Sequence, residues 1–209
     1  MTTGDGGMLT TDDPEYDQVF RLWRHHSMSV PDMARHQAKA VIFEEYPELG
    51  YNYRMTDIQA AVGRIQLQRL PETVARRRRL GQRYLELLAD VPGLGLPVEP
   101  EWAKTNWQSF CVRLPEGGDQ KTIMQRMLEF GVETRRGTMC AHRERAYRTE
   151  PWRCAHGDPR SGGCGCLQNS ERAQDQAIVL PLFPELTDAE QEVVVSALRR
   201  ACGGPTQTA

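Results

Sequence analysis

Apolar positions in this chain fall into periodic stretches separated by long polar or glycine- and proline-rich passages. From Pro14 to about His26, Tyr16, Val19, Phe20 and Trp23 recur at spacings of three and four, which predicts one face of a helix. Residues 27–50 hold no sustained period: Pro31, Pro47 and Gly50 interrupt them, and Val41, Ile42 and Phe43 read as a short strand. A helix start follows at Thr56, whose hydroxyl can cap the first turn while Gln59 reaches back to it. Ile58, Ala61, Val62 and Ile65 then repeat on one side, and small Ala60, Ala61 and Gly63 allow close packing. Pro71 lacks the amide hydrogen the preceding turn needs, so it predicts a break between this helix and a second over residues 72–90. Val74, Leu80, Tyr84, Leu87 and Leu88 supply the apolar side of the second.

Residues 91–105, rich in glycine and proline, read as a linker or crossover. Beyond it the periods alternate. Phe110, Val112 and Leu114 predict a strand, and Ile123, Met127 and Leu128 a helix closed by a left-handed Gly131. Residues 132–135 read as another strand, residues 150–169 as a loop, and Ile178, Val179 and Leu180 as a buried strand ending at Pro181. A last helix opens with a Thr187-x-x-Glu190 capping box, buries Val193, Val194, Ala197 and Leu198, and stops at Gly203. The tail beyond reads as disordered. At the other end, Gly4, Gly6 and Gly7 form a flexible loop and residues 8–11 a short strand closed by Asp12, Asp13 and Pro14. That is the turn chemistry of the inside of a fold rather than its beginning. No internal repeat is present. The pattern is that of an α/β (α+β) chain.

Composition narrows the function classes. The 209 residues carry 26 Lys+Arg against 28 Asp+Glu, a net charge of -2, which argues against nucleic-acid binding driven by bulk charge. The four arginines 76–79 point nearly all round a helix, so they read as a solvated or dimer-contacting segment. Lysine occurs only at Lys39, Lys104 and Lys121, which limits chemistry needing a lysine amine. No apolar run approaches the ~20 residues of a membrane span, and the first residues lack the basic and apolar regions of a signal peptide. Six cysteines without such a signal read as reduced thiols of a cytoplasmic protein. Cys111 and Cys202 read as core or helix-end thiols. Cys154, His156, Cys164 and Cys166 offer a set of zinc ligands, but their C-x-C spacing and the flanking Gly162 and Gly163 fit a variable surface insertion as well.

Candidate chemistry concentrates at two places. The glycines of residues 2–7 can converge backbone N–H groups on an anion, yet the loop lacks the Lys-Ser/Thr of a P-loop. Asn52 and Arg54 are more specific. They sit immediately before a capped helix N-terminus, where an amide donor and a guanidinium suit a phosphate or carboxylate.

The segment GYNYRMTDIQAAVG (residues 50–63) resembles the signature of the DegT/DnrJ/EryC1/StrS aminotransferases. These are fold-type I enzymes dependent on pyridoxal 5'-phosphate that mostly act on nucleotide-linked keto sugars. TTGDGGMLTTDD (residues 2–13) resembles the loop after the family's cofactor-bearing lysine, with Asp5 for the family's glutamate. TRRGTMCAH (residues 134–142) resembles its substrate loop, although Arg145 stands where relatives carry proline. Ser170, Glu171, LPLF (residues 180–183) and LTDAE (residues 186–190) resemble the closing strand and helix. The resemblance implies that Asn52 reaches the cofactor phosphate of a neighbouring subunit. It implies that Arg54 holds an amino-donor carboxylate or substrate, and that His142 and Arg135 line a sugar-nucleotide pocket.

The same resemblance implies the C-terminal portion of such an enzyme. Residues 1–90 would be the remnant of the large cofactor-binding domain, residues 91–202 the small α+β domain, and residues 203–209 a tail. The cofactor-bearing lysine would precede Thr2, and no lysine here matches it. The expected partners are a nucleotide sugar, an amino donor such as glutamate, and a second copy of the chain or a full-length relative, with no nucleic acid and no membrane. The chain alone is expected to lack transaminase activity and to dissolve poorly, because helices 14–26 and 56–70 would expose faces made to pack on the large domain. A non-catalytic regulatory remnant and a sugar dehydratase remain as alternatives.

Overall fold

The computed structural model describes residues 1–30, 32–147 and 167–203. The chain divides into two compact units, Met1–Pro71 and Glu72–Ala209. The division falls at Pro71, whereas the change in composition that sets the sequence boundary lies after residue 90.

In the first unit, α1 spans Pro14–Trp23 and α2 spans Asp32–Gln37. Asp13 caps α1, its carboxylate accepting the amides of Glu15 at 2.8 Å and Tyr16 at 3.4 Å, with Pro14 in the first turn. The helix stops at Trp23 instead of His26 because His26 and Ser27 both adopt φ of 58°, the left-handed region. Residues 8–11 and 41–43 form no strand. Among the described residues no neighbouring strand supplies the ladder that their β-prone side chains anticipated. Among the described residues of this unit, no apolar side chain is buried, and Ser27 is the one buried residue. Tyr16, Trp23, Ile58, Val62 and Ile65 are exposed.

Helix α3 runs unbroken from Asp57 to Leu88 with Pro71 inside it, correcting the division expected there. Pro71 and its surroundings are exposed, so the carbonyl left without a helical donor can bond to water. From Leu80 onward α3 turns apolar toward the core of the second unit. Tyr84 and Leu88 are buried with Leu80, and the Tyr84 hydroxyl donates to the Pro181 carbonyl at 2.9 Å.

That core is built on a three-stranded antiparallel sheet. β1 is Phe110–Arg113, β2 is Arg135–Arg136, and the central strand β3 is Ala177–Leu180. Phe110 pairs with Leu180 and Arg113 with Ala177, while Arg135 faces Val179 across the other edge. β2 is shorter than the expected strand over residues 132–135; Val132 instead buries itself beside α4, its amide bonded to the Met127 carbonyl. α4 (Gln120–Glu129) packs against α6 (Asp188–Cys202). Gly131 ends α4 at φ 79°, as its position requires.

The Thr187–Glu190 capping box forms as read, with the Glu190 amide on Thr187 Oγ1 at 3.2 Å and the Thr187 amide on Glu190 Oε2 at 2.8 Å. Val194, Ala197 and Leu198 are buried, but Val193, at the flank of that face of α6, is exposed. The sequence reading missed α5, Gln168–Gln176, which leads directly into β3. Only Ala173 is apolar in it, so hydrophobic periodicity had nothing to register. The tail after Gly203 lies outside the described residues.

Arg76 and Arg77 correct the reading of a solvated arginine run. Both are half-buried. Arg76 donates to the carbonyls of Pro184 at 3.2 Å and Leu186 at 2.6 Å. Arg77 donates to those of Trp107 at 3.0 Å, Gln108 at 3.2 Å and Leu182 at 3.1 Å. The guanidinium fork satisfies carbonyls that leave β3 and the 106–108 turn without strand partners. Arg78 pairs with Glu99 at 3.3 Å, and only Arg79 is exposed.

Candidate functional site

In the first unit the segment after Gly50 is laid against the end of α1. The Tyr51 amide donates to the Trp23 carbonyl at 2.6 Å, the His26 amide to the Tyr51 carbonyl at 2.9 Å, and the Tyr53 amide to the Arg24 carbonyl at 3.0 Å. Asn52 faces His25 in an isolated antiparallel bridge. The approach is close enough that Gly50 admits no side chain, since a Cβ there would meet Ser27 N at 2.1 Å. The left-handed His26 and Ser27 therefore make the corner on which the Asn52 ledge rests.

Asn52 and Arg54 are both exposed on that ledge, and the Arg54 Nε donates to Asn52 Oδ1 at 3.2 Å. With its oxygen accepting, the Asn52 amide presents its NH2 group as donor, beside the charged guanidinium. These are the groups that hold a phosphate or a carboxylate. The adjacent start of α3 contributes less than its dipole alone suggests. Thr56 and Gln59 answer each other's amides at 3.0 and 3.3 Å, which uses two of the donors at that terminus. The glycine loop lies alongside: the Gln59 Nε2 donates to the Asp5 carbonyl at 3.1 Å, and the Thr3 hydroxyl to the same oxygen at 2.7 Å.

Arg135 and His142 belong to the second unit and line different cavities. Arg135 on β2 borders one of about 650 Å³ with Gln108, Pro181, Phe183 and Glu190. His142, in a single 3₁₀ turn over Ala141–Arg143, borders another of about 570 Å³ with Met139, Tyr147, Leu167 and Ser170. The structure thus brings Asn52 and Arg54 together but does not bring Arg135 and His142 into one cavity. The loop of His142 is held by α5. His142 Nε2 lies 2.8 Å from Glu171 Oε1, the Cys140 amide donates to the side chain of buried Gln174, and Arg143 Nη1 donates to both Asp175 oxygens at 2.7 and 2.9 Å. The Asp175 carboxylate, and Glu171 beyond it, favour the charged guanidinium and raise the pKa of Arg143. Sequence reasoning passed over Gln174 and Asp175; their i, i+3, i+4 relation to Glu171 was the available signal.

The remaining titratable groups of interest are structural. Burial pushes the thiols of Cys111 and Cys202 up and does the same to the Tyr84 hydroxyl. Among the described residues no group of His, Cys, Asp and Glu side chains is placed to hold a metal ion. Cys154, His156, Cys164 and Cys166 lie outside the described residues. No described helix is long and apolar enough to cross a membrane.

A small antiparallel sheet backed by α4 and α6, preceded by a long helix with the exposed Asn52–Arg54 pair before its start, defines an aminotransferase-type fold. The chain belongs to the DegT/DnrJ/EryC1/StrS aminotransferase family, whose model matches residues 1–199. The aminotransferase TlmJ from Streptoalloteichus hindustanus is 30% identical at a TM-score of 0.76, with 96% of this chain covering 48% of that one. DesV of S. venezuelae, solved in complex with a ketimine intermediate, is 26% identical at a TM-score of 0.75, with 94% of this chain covering 47%. The PLP form of the putative sugar aminotransferase Spr1654 from Streptococcus pneumoniae shares the fold at 19% identity and a TM-score of 0.71, with 94% of this chain covering 46%. The chain therefore spans about half the length of these solved relatives.

The cofactor of this family is pyridoxal 5'-phosphate. The residues present fit its phosphate in part: Asn52 and Arg54 supply an amide donor and a guanidinium on an exposed ledge. The three lysines, Lys39, Lys104 and Lys121, lie outside residues 2–13 and 50–63.

Proposed function

We propose that this chain is the C-terminal portion of a pyridoxal-phosphate-dependent sugar aminotransferase. The observation that carries the proposal is the exposed Asn52–Arg54 pair, joined at 3.2 Å and seated on the backbone of Trp23, Arg24 and His26. Asn52 donates from its NH2 group to the cofactor phosphate of a neighbouring subunit. Arg54 orients that amide and holds the carboxylate of an amino donor such as glutamate. His142 and Arg135 contact a nucleotide-linked keto sugar from their separate cavities. When bound, the cofactor supplies the electron sink for moving the amino group.

These 209 residues by themselves do not transaminate on this reading, because Lys39, Lys104 and Lys121 all follow the glycine loop, whereas the family's cofactor-bearing lysine precedes it. That lysine is supplied from outside these 209 residues, either by further residues of the same polypeptide or by a full-length relative. The uncovered apolar side chains of the first unit support this, Phe43 being 88% exposed and Ile58 79%. A non-catalytic, regulatory pairing draws on the same surface.

The experiment is reduction of the purified chain with borohydride in the presence of pyridoxal phosphate, followed by peptide mapping. No stable adduct at a specific lysine is expected. Mixing with a lysine-bearing relative should yield an active assembly that loses cofactor affinity in Asn52→Ala. A site-specific adduct on this chain alone overturns the inactivity, and an assembly indifferent to Asn52→Ala overturns the phosphate role.

A further inference from the structure

The second unit contains a side-chain arrangement that the proposed function does not use. Glu171, Gln174 and Asp175 stand at i, i+3 and i+4 on α5 and so share one face. Each holds a different atom of the loop that carries His142. Gln174 accepts the Cys140 amide, Asp175 accepts from Arg143 at 2.7 and 2.9 Å, and Glu171 Oε1 meets His142 Nε2 at 2.8 Å. α5 is itself tied down, since Gln120 Nε2 donates to the carbonyls of Gln174 at 2.8 Å and Ala177 at 2.7 Å. The loop is thus fixed at three successive points by one anchored helix.

From this geometry we infer that Glu171 is the positioning residue for His142. An ionised carboxylate only accepts hydrogen bonds, so its partner Nε2 must carry the proton, and in the neutral ring Nδ1 is then the acceptor. The pair is shielded, with side-chain exposures of 15% for His142 and 30% for Glu171, so water competes weakly for the bond. The His142 ring borders the cavity of about 570 Å³. Apolar Met139 and Leu167 line it together with the polar tips of Ser170 and Tyr147, a lining suited to a flat or sugar-like ligand that needs a few directional contacts. Fixing the tautomer and the ring plane holds the imidazole in one orientation against that lining. Occupancy of this cavity by a nucleotide sugar rests on the function proposed above; the positioning of His142 by Glu171 does not.

The test uses the full chain with labelled histidine at about pH 8, where an ordinary imidazole is neutral. An exchange-protected Nε2–H resonance that disappears in His142→Asn is expected. It should be lost in Glu171→Ala and retained in Glu171→Gln, whose amide oxygen still accepts. The Cys140 amide, held by Gln174, stays protected in all variants if the loop remains folded.

In parallel, UDP-glucose affinity is measured by titration. Glu171→Ala should weaken it about tenfold in the otherwise unchanged chain but less than about twofold in a His142→Ala background. Glu171→Gln should largely restore it. A resonance that survives Glu171→Ala with the loop folded, or losses that simply add, overturns the assignment. A chain that binds no UDP-glucose while the resonance still depends on Glu171 supports the positioning role and overturns the sugar-nucleotide reading instead.

Discussion

Gly50 and Ser27 are in backbone contact: a Cβ on Gly50 would lie 2.1 Å from Ser27 N and 2.2 Å from the carbonyl carbon of His26. Backbone cannot yield as a flexible side chain can, so Gly50→Ala must lift the 50–54 segment off the end of α1. The expected result is faster hydrogen exchange at the Tyr51 and Tyr53 amides, which donate to Trp23 and Arg24. If Asn52 holds the cofactor phosphate as proposed above, weaker binding of pyridoxal phosphate should accompany it. Protection unchanged in Gly50→Ala would show that the segment is held some other way.

Arg77 and Arg79 are two residues apart in one arginine run and should respond oppositely to truncation. Arg77→Ala strands three carbonyls, those of Trp107, Gln108 and Leu182, and is expected to cost about 1–3 kcal/mol. Arg79 is exposed, and Arg79→Ala should stay within about 0.5 kcal/mol. Urea denaturation followed by tryptophan fluorescence distinguishes them, since Trp107 lies in the affected turn.

Gly81 sits in α3 with its Cα against the Trp107 indole; a Cβ would meet ring atoms at 2.8 and 2.9 Å. Helix propensity alone favours alanine here by about 1 kcal/mol. Overpacking a well-filled core costs about 1–3 kcal/mol, and the indole is pinned against Phe110 at a centroid distance of 5.3 Å. We expect Gly81→Ala to be net destabilising in a thermal melt. A raised Tm would mean that the indole moves freely.

The Thr187–Glu190 box sets a pH dependence. Hydrogen bonds from the Thr187 backbone, and then its hydroxyl, hold the Glu190 carboxyl below its ordinary value of 4.5. A group whose folded pKa is depressed stabilises above its unfolded pKa and loses that contribution as pH falls through the folded one. Melting temperatures measured from pH 7 downward should therefore fall less steeply below about pH 4.5 in Glu190→Gln than in the unchanged chain. Thr187→Ala should lower stability by about 1 kcal/mol at neutral pH. Parallel acid limbs in the two proteins would contradict this.

Much of the second unit was legible before its structure. The alternation of Phe110 and Val112, the glycine that ends α4, the capping box of α6 and the apolar run of β3 each announce a local conformation through local chemistry. Residues 8–11 and 41–43 show the converse. β-prone side chains form a strand only when a neighbour offers hydrogen bonds, and no sequence window contains the neighbour. α5 went unread for a related reason: its worth lies in polar contacts to Cys140, His142 and Arg143, which leave no hydrophobic period.

The candidate site divides along the same line. Asn52 and Arg54 could be named from sequence because their chemistry and their place before a capped helix are both local. That their side chains meet, that the ledge needs Gly50, and that Arg135 and His142 line separate cavities depend on which segments pack together.

By itself, then, the sequence determined the end of α4 at Gly131, the capped start of α6, the strands at Phe110 and Ile178, the scarcity of lysine and the motifs of the family. Only tertiary structure decided that α3 passes through Pro71, that Arg76 and Arg77 clamp carbonyls instead of facing water, and that Glu171 holds His142. The physical reason is the range of the interactions. Caps, turns and periodicity act within a few residues, whereas a carbonyl left without a strand partner or a carboxylate beside an imidazole is set by residues dozens of positions away.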